Sequence, residues 1–208
     1  DNRHILQKCI LPLYECQDEV FSIFLPCLVD VYISTANKSL KKLLVDRSTK
    51  SWLVASELFW ICTYLHESAS NNSQTKHTCF SLRRSILADS AHYSELETSH
   101  GMLQCIESCT LTQLPSALKK QLANNTVTRY PFDLEKIVLG VSYDEIETKQ
   151  SVSSPTVIPV EIVGSRTRHL MIKRQDIFTE HVILNCIKLI HYILHINDIS
   201  IPVQHYRV

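Results

Sequence analysis

Only three glycines occur among the 208 residues of this chain, at Gly101, Gly140 and Gly164. A domain of average composition would contain about fifteen. Glycine lets a backbone reach positive φ or come close to a phosphate group. Phosphate-binding loops, dinucleotide-binding fingerprints and nucleophile elbows depend on that freedom, so the sequence argues against most enzyme classes and favours a helix-rich interaction domain.

The overall charge does not point to a nucleic-acid partner. The chain has 21 acidic and 21 basic residues, which balance to a formal charge of +0. A balanced charge does not attract polyanions, so we expect no nucleic-acid partner. No segment resembles a signal peptide. Polar residues interrupt the two longest apolar stretches, Val20–Ile33 and Val182–Ile196, so neither is typical of a membrane span. These two observations predict a cytoplasmic protein.

The cysteines lie mostly within apolar periodic stretches, where a thiol behaves as a small hydrophobic side chain. We expect them to be reduced, as in a cytosolic protein. The alternative is four disulfides in a secreted domain, which the Asn-x-Ser/Thr triplets at Asn37, Asn71 and Asn124 would fit. The eight cysteines are Cys9, Cys16, Cys27, Cys62, Cys79, Cys105, Cys109 and Cys186.

Apolar spacing and capping residues predict three helices in the first third of the chain. A short helix covers 3–15, and the next runs from Asp18, as its N-cap, to about Ala36, with a kink at Pro26. Ser51 can cap a third helix, whose apolar residues nearly encircle it. Such all-round apolarity indicates burial at the centre of the fold.

Further helical patterns follow towards the middle of the chain. Residues 80–109 predict two helices broken near His100–Gly101. Ser116–Leu122 predicts a short helix, and Asn124–Tyr130 predicts a loop. Apolar residues at helical spacing then predict a helix over Asp133–Val141.

The period changes near residues 143–163, where we expect β structure. Tyr143–Thr148 and Thr156–Val163 are rich in residues that favour strands, and a Ser-rich turn separates them, so they predict one β-hairpin. A final helix over Gln175–Asn197 has a broad apolar face. The sequence therefore predicts a mainly α protein, a bundle or stack of helices in a single domain over 1–208 with one small β-hairpin.

No spacing of metal-ligating residues is typical of a metal centre. The candidates are His77 with Cys79, Cys105 with Cys109, and the pair His191 and His195. The first four lack the tight pairs that structural zinc sites use. The two histidines lie one helical turn apart, but Tyr192 stands where a metalloprotease helix needs a Glu. We expect no metal.

Catalytic groups are equally hard to find in the sequence. A nucleophilic Ser or Cys needs a base and an oxyanion site built from exposed backbone donors, and no candidate lies in a recognisable turn of that kind. Asp144, Glu145 and Glu147 fall on the predicted hairpin, where such residues are typical of a solvated face. We expect neither a catalytic residue nor a cofactor.

A basic segment lies between the predicted hairpin and the last helix. Arg166, Arg168, His169, Lys173 and Arg174 cluster there, with no acidic residue between them. The four Arg and Lys residues are candidates for contact with anionic lipid, at about 1 kcal/mol per charge, or with acidic groups of a partner. The plainer interpretation is a solvated basic loop.

Two stretches of the chain resemble a known family. In residues 9–36 the matching elements are Leu13, Tyr14, Glu15, Asp18, Glu19, Leu25, Pro26, Leu28, Tyr32, Ser34 and Ala36. In residues 134–163 they are Glu135, Leu139, Gly140 and Val141, with Ile146 and Val157–Pro159 matching more loosely. The final helix, Asp176–Ile196, falls where the family has a long apolar helix. On these residues the chain resembles the hyccin family, and 37–130 would be a divergent insertion.

The resemblance implies a function without catalysis. Hyccin-like proteins are regulatory subunits of the complex containing phosphatidylinositol 4-kinase type III alpha, and they bind a tetratricopeptide-repeat scaffold. A palmitoylated anchor protein places that complex at the plasma membrane, where it makes phosphatidylinositol 4-phosphate. By this resemblance the chain would stabilise the lipid-kinase assembly through the scaffold. The candidate aromatic contacts are Phe21, Phe24, Trp52 and Phe178.

The basic segment suggests a different function. In this alternative the chain is an α-helical adaptor of vesicle traffic, which meets a membrane or an acidic partner through its basic residues.

Overall fold

The computed structural model describes residues 2–69, 72–89, 93–125, 127–151, 154–173 and 178–201. Over these residues the protein is mainly α with a small β part, as the sequence predicts. Eight helices and one five-stranded antiparallel sheet are present in the described ranges. They fall into two compact units with separate hydrophobic cores, and the single domain over 1–208 stays a prediction.

Helices build the first unit. They are α1 (Asn2–Glu15), α2 (Asp18–Thr35), α3 (Lys38–Lys50), α4 (Trp52–Ser68), α5 (Ser73–Asp89) and, from Leu184 onwards, α8 (Phe178–His195). α4 packs against α2, α3 and α5, and its Leu58, Phe59 and Cys62 are fully buried. Its apolar surface on all sides therefore does place it centrally in this unit, as predicted.

Side-chain caps fix where α3 and α4 begin. The Leu40 N–H donates to Asn37 Oδ1 at 3.0 Å, and the Val54 N–H donates to Ser51 Oγ at 3.4 Å. Each bond satisfies a backbone donor that has no partner within its helix. The predicted cap at Ser51 is confirmed.

The start of α2 differs from the prediction. Gln17 occupies the N-cap position without a side-chain bond, and Asp18 lies one residue later, in the first turn. A carboxylate there still interacts favourably with the helix dipole. At the other end, Ala36 adopts the left-handed region with φ 49°, and its N–H donates to Tyr32 O.

Two features of the helical region were not predicted correctly. Helix α3 was not predicted from the sequence, although Leu40, Leu43 and Leu44 follow helical spacing and are fully buried. The predicted break at His100–Gly101 is wrong, because both residues lie inside α6 (Tyr93–Ser108).

The second unit combines two helices and the first residues of α8 with the sheet. Its elements are α6, α7 (Leu114–Ala123), β1 (Thr128–Tyr130), β2 (Asp133–Val141), β3 (Glu147–Thr148), β4 (Thr156–Ile162) and β5 (Arg168–Ile172), with a 3₁₀ turn at Tyr143–Glu145. Met102 and Ile106 of α6 share one core with Ile158 and Val160 of β4. The Ser99 hydroxyl of α6 also donates to the Arg129 carbonyl of β1 at 2.7 Å.

β4 is the central strand of the sheet. It pairs antiparallel with β2, β3 and β5, and β1 pairs with β2. Val160 pairs with Val141 of β2 and with Arg168 of β5, so these two neighbours lie on opposite edges of β4. Ile158, Val160 and Ile162 are buried on the core face of the strand.

The predicted helix over Asp133–Val141 is wrong, because these residues form β2. The backbone of these residues forms hydrogen bonds with β4, a strand that lies later in the chain, so the local spacing of apolar residues does not indicate the pairing. The predicted loop at Asn124–Tyr130 contains β1. Of the predicted hairpin, β3 does pair with β4, but Tyr143–Glu145 form a 3₁₀ turn and the hairpin is part of a larger sheet.

Candidate interaction site

The fold divides the basic segment. Arg168 lies on β5, with Nη1 3.7 Å from Asp133 Oδ2 and Cζ 5.7 Å from the centre of the Tyr130 ring. The carboxylate and the aromatic face both interact favourably with this guanidinium. Arg166 is exposed just before β5, in the connection from β4.

The remaining candidates of the segment are placed differently. Lys173 directly follows β5 and is half-buried, and Arg174 lies outside the described residues. His169 points to the sheet face opposite the core, where it lines a cleft with Pro159, its partner in the β4–β5 register. The structure therefore leaves both Arg166 and Arg168 exposed to a membrane or an acidic partner, and Arg168 also contacts Asp133 and Tyr130.

The cleft beside β4 has a volume of about 340 Å³ and an acidic wall. Asp144, Glu145 and Glu147 line it and are exposed, and Glu147 forms an ion pair with Lys149. Their exposure fits the solvated face that the sequence predicts. Within the described ranges, no group of three or more His, Cys, Asp or Glu side chains is placed to hold a metal ion.

None of the eight cysteines, all of which the structure describes, forms a disulfide, and the zinc candidates among the described residues do not assemble. His77 is exposed whereas Cys79 is buried in the core of the first unit, and Cys105 and Cys109 belong to the second unit. Burial raises the pKa of Cys79 to about 11. Burial, and then the neighbouring Cys79, raises the pKa of Cys62 as well.

The last helix presents an uncovered apolar face. None of the described side chains over 183–201 is buried. The exposed fractions of Ile183, Ile187, Ile190 and Ile193 are 53%, 37%, 56% and 47%. The sequence predicted this broad apolar face, but only the structure shows that its described part stays in contact with solvent.

One of the four aromatic candidates is a core residue. Phe21 of α2 is fully buried, so it belongs to the core of the first unit and not to a contact surface. Phe24 and Trp52 are half-buried. Phe178 begins α8, but its side chain lies outside the described part of the structure.

In the part of the chain that the structure describes, no helix has both the length and the apolarity to cross a bilayer. A scan against models of known protein families gives no match, and a search of curated proteins finds no similar sequence. The resemblance to the hyccin family therefore stays a prediction.

Proposed function

We propose that this chain is a non-catalytic subunit that binds another protein through the apolar face of α8. The exposure of that face supports the proposal, since Ile183 and Ile190 keep more than half of their surface accessible. Apolar surface left in water is unfavourable, and contiguous exposed patches mark interaction sites.

A helical-repeat scaffold suits this face as a partner. The hyccin resemblance implies a tetratricopeptide-repeat scaffold within a lipid-kinase assembly at the plasma membrane. Such scaffolds stack helix pairs into extended concave surfaces, and an amphipathic helix docks there through anchors three and four residues apart. Burying the exposed half of each α8 isoleucine would contribute about 1 kcal/mol per residue.

The test is a binding measurement between the purified chain and the tetratricopeptide-repeat scaffold of the phosphatidylinositol 4-kinase complex. The double variant Ile190→Asp with Ile193→Asp should weaken binding at least about thirtyfold, since about 2 kcal/mol corresponds to that factor. Leu11→Asp is the matched control, because Leu11 is 66% exposed and lies on a different helix, α1.

Two results would contradict the proposal in different ways. Equal loss of binding in the double variant and in the Leu11→Asp control would exclude α8 as the contact. A complete lack of binding by the unmodified chain, in size-exclusion chromatography and in pull-down, would exclude the lipid-kinase scaffold as the partner.

The exposure of Arg166 favours a second candidate function, that of an adaptor of vesicle traffic which meets an anionic membrane through the basic segment. Charge reversal at Arg166, Arg168 and Arg174 should then abolish binding to vesicles that contain phosphatidylserine. Unchanged vesicle binding would end this alternative.

A further inference from the structure

Strand β5 lies at an edge of the sheet. Among the described strands it pairs with β4 alone, over five residues and without a shift in register. Another outer strand, β1, is bonded to a helix, because the Ser99 hydroxyl of α6 donates to the Arg129 carbonyl. Within the described ranges, no helix forms a comparable hydrogen bond to β5.

The register shows which backbone groups of β5 point away from β4. The N–H of Ser142, which follows β2, donates to the Pro159 carbonyl at 3.1 Å, so Pro159 directs its backbone towards the β2 side of β4. His169, its partner in register, therefore belongs to a pair without hydrogen bonds. Because such pairs alternate along antiparallel strands, the N–H and C=O groups of His169 and Met171 point to the outer edge.

These outward backbone groups are available to another chain. His169 and Met171 form no hydrogen bond at this edge with any described residue. Their side chains are exposed as well, that of Met171 to 58%. Leu170 lies between them and is buried in the core of the second unit, which holds the strand in place. An unpaired strand edge of this kind is a template for a further extended segment.

The charge beside this edge is positive. Arg166 and Arg168 are exposed at the start of β5, Lys173 directly follows its end, and no acidic residue occurs between 165 and 175. The acidic wall of the cleft lies across β4, on the side of β3. Strands lie about 4.8 Å apart, so a strand added to β5 would be about 14 Å from β3, which exceeds the screening length at physiological salt.

We propose that β5 binds an extended acidic segment of another protein, which joins the sheet as a further strand. The backbone groups of His169 and Met171 exchange hydrogen bonds with this segment, and Arg166 and Arg168 attract its carboxylates. This inference does not depend on the proposed function, because no residue of α8 takes part.

Other occupants suit the edge less well. In an antiparallel pair of two β5 strands, Arg166 and Arg168 of one copy would approach the Lys173 end of the other, and like charges opposite each other destabilise a strand pair. An anionic membrane attracts the same basic residues but offers no extended backbone to pair with the strand.

The test measures, by fluorescence anisotropy, how the full chain binds a fluorescein-labelled peptide of about nine residues in which Glu and Val alternate. Alternation lets the peptide place carboxylates beside Arg168 and apolar side chains beside Met171. We expect saturable binding, at least about tenfold tighter than for the same peptide with Lys in place of Glu. The acidic peptide methylated on every backbone nitrogen keeps its charge but cannot donate, and it should bind at least about tenfold more weakly.

A variant of β5 tests the same contact from the side of the protein. Met171→Pro removes an outward N–H, and proline is tolerated where the N–H of an edge strand faces solvent. Affinity for the acidic peptide should fall at least about tenfold. Met171→Ala keeps the N–H and is the matched control, which should bind within about threefold of the unmodified protein. Circular dichroism checks the fold of both variants, and the methylated peptide does not require either of them.

Four results would overturn the proposal. Equal affinity for the acidic peptide and its methylated version, or unchanged affinity in folded Met171→Pro, would show that charge alone accounts for binding. Binding to vesicles that contain phosphatidylserine, without binding to the acidic peptide, would assign the basic residues to a membrane. A dimer in size-exclusion chromatography that Met171→Pro dissociates would show that a second copy occupies the edge.

Discussion

The Arg47 guanidinium lies 2.5 Å from Asp18 Oδ1 and also covers the end of α1. Its Nη2 donates to Cys16 O at 2.8 Å, and its Nη1 donates to Tyr14 O at 2.9 Å and to Leu13 O at 3.3 Å. The last carbonyls of a helix have no partner within it, and a cation suits that end of the dipole. One side chain of α3 thus joins the end of α1 to the start of α2.

Replacement of Arg47 should destabilise the protein far more than replacement of Asp18. Only 9% of the Arg47 side chain is exposed, against 40% for Asp18. Arg47→Ala removes the guanidinium donor from three backbone carbonyls and should cost about 3 to 5 kcal/mol. Asp18→Ala removes one partly exposed partner and should cost about 1 kcal/mol. Urea unfolding followed by circular dichroism measures both.

Arg47→Lys separates charge from geometry in the same experiment. Lysine keeps the positive charge but lacks the planar guanidinium group that donates to several carbonyls at once. The loss of stability in Arg47→Lys should therefore lie between the losses in the two alanine variants. Equal losses for Arg47→Ala and Asp18→Ala would show that the ion pair, and not the carbonyl contacts, provides the stabilisation.

The N-cap of α3 should contribute measurably to stability. Asn37→Ala removes the acceptor of the Leu40 N–H and should cost about 1 kcal/mol. Ser51→Ala should cost less, because the Ser51 bond to Val54 is longer, at 3.4 Å. Thermal unfolding compares the two variants. Asn37→Asp keeps a capping oxygen and is the matched control, which should unfold at or above the temperature of the unmodified protein.

The buried thiols should make stability fall at alkaline pH. The pKa of Cys79 is raised from 9.0 to about 11 in the folded protein, so between these values the folded state retains a proton that the unfolded state has lost. The free energy of unfolding therefore decreases as pH rises from 9 towards 11, by up to about 1.4 kcal/mol per pH unit for this group. Below pH 8 the effect is absent.

A variant isolates this contribution from lysines and tyrosines that titrate nearby. In Cys79→Val the free energy of unfolding should decrease less at alkaline pH. Near pH 7 the free energies of the two proteins should differ only by a constant that does not depend on pH. Urea midpoints measured every half pH unit from 7 to 10.5 provide the comparison. Parallel curves over that range would mean that Cys79 ionises as readily in the folded state as in the unfolded chain.

Two glycines should respond oppositely to alanine. Gly164 has φ +66°, so Gly164→Ala forces a left-handed backbone and should cost about 1 to 2 kcal/mol, although no atom lies within 4 Å of the new Cβ. Gly101 lies inside α6, where a Cβ would come within 2.5 Å of Gln121 Nε2, the mobile end of a side chain.

Gln121→Ala removes that obstruction and provides the background for the second measurement. In the Gln121→Ala protein, the further change Gly101→Ala should stabilise the fold by about 0.5 to 1 kcal/mol, because alanine is the better helix former. Urea unfolding of the double variant against Gln121→Ala alone gives the value. A loss of stability in this background would mean that contacts other than Gln121 require the glycine.

The helices could largely be predicted, because their determinants are close together in the chain. Each helical hydrogen bond joins residues four apart, so the cap at Ser51 and the apolar spacing of α2 and α4 identify these helices locally. The candidate interaction sites were harder to predict from the sequence. The sequence showed a broad apolar face on α8, but whether another element covers such a face depends on packing and not on spacing.

By itself, therefore, the sequence determined a helix-rich chain, the main helices and the apolar face of α8. Only the tertiary structure decided that Asp133–Val141 is a strand, since its pairing with β4 reaches residues about 20 positions later. The same holds for Arg47, whose partner Cys16 lies 31 residues away. Contacts between residues so far apart in the chain depend on how whole helices and strands pack together. A local pattern of residue types does not determine that packing.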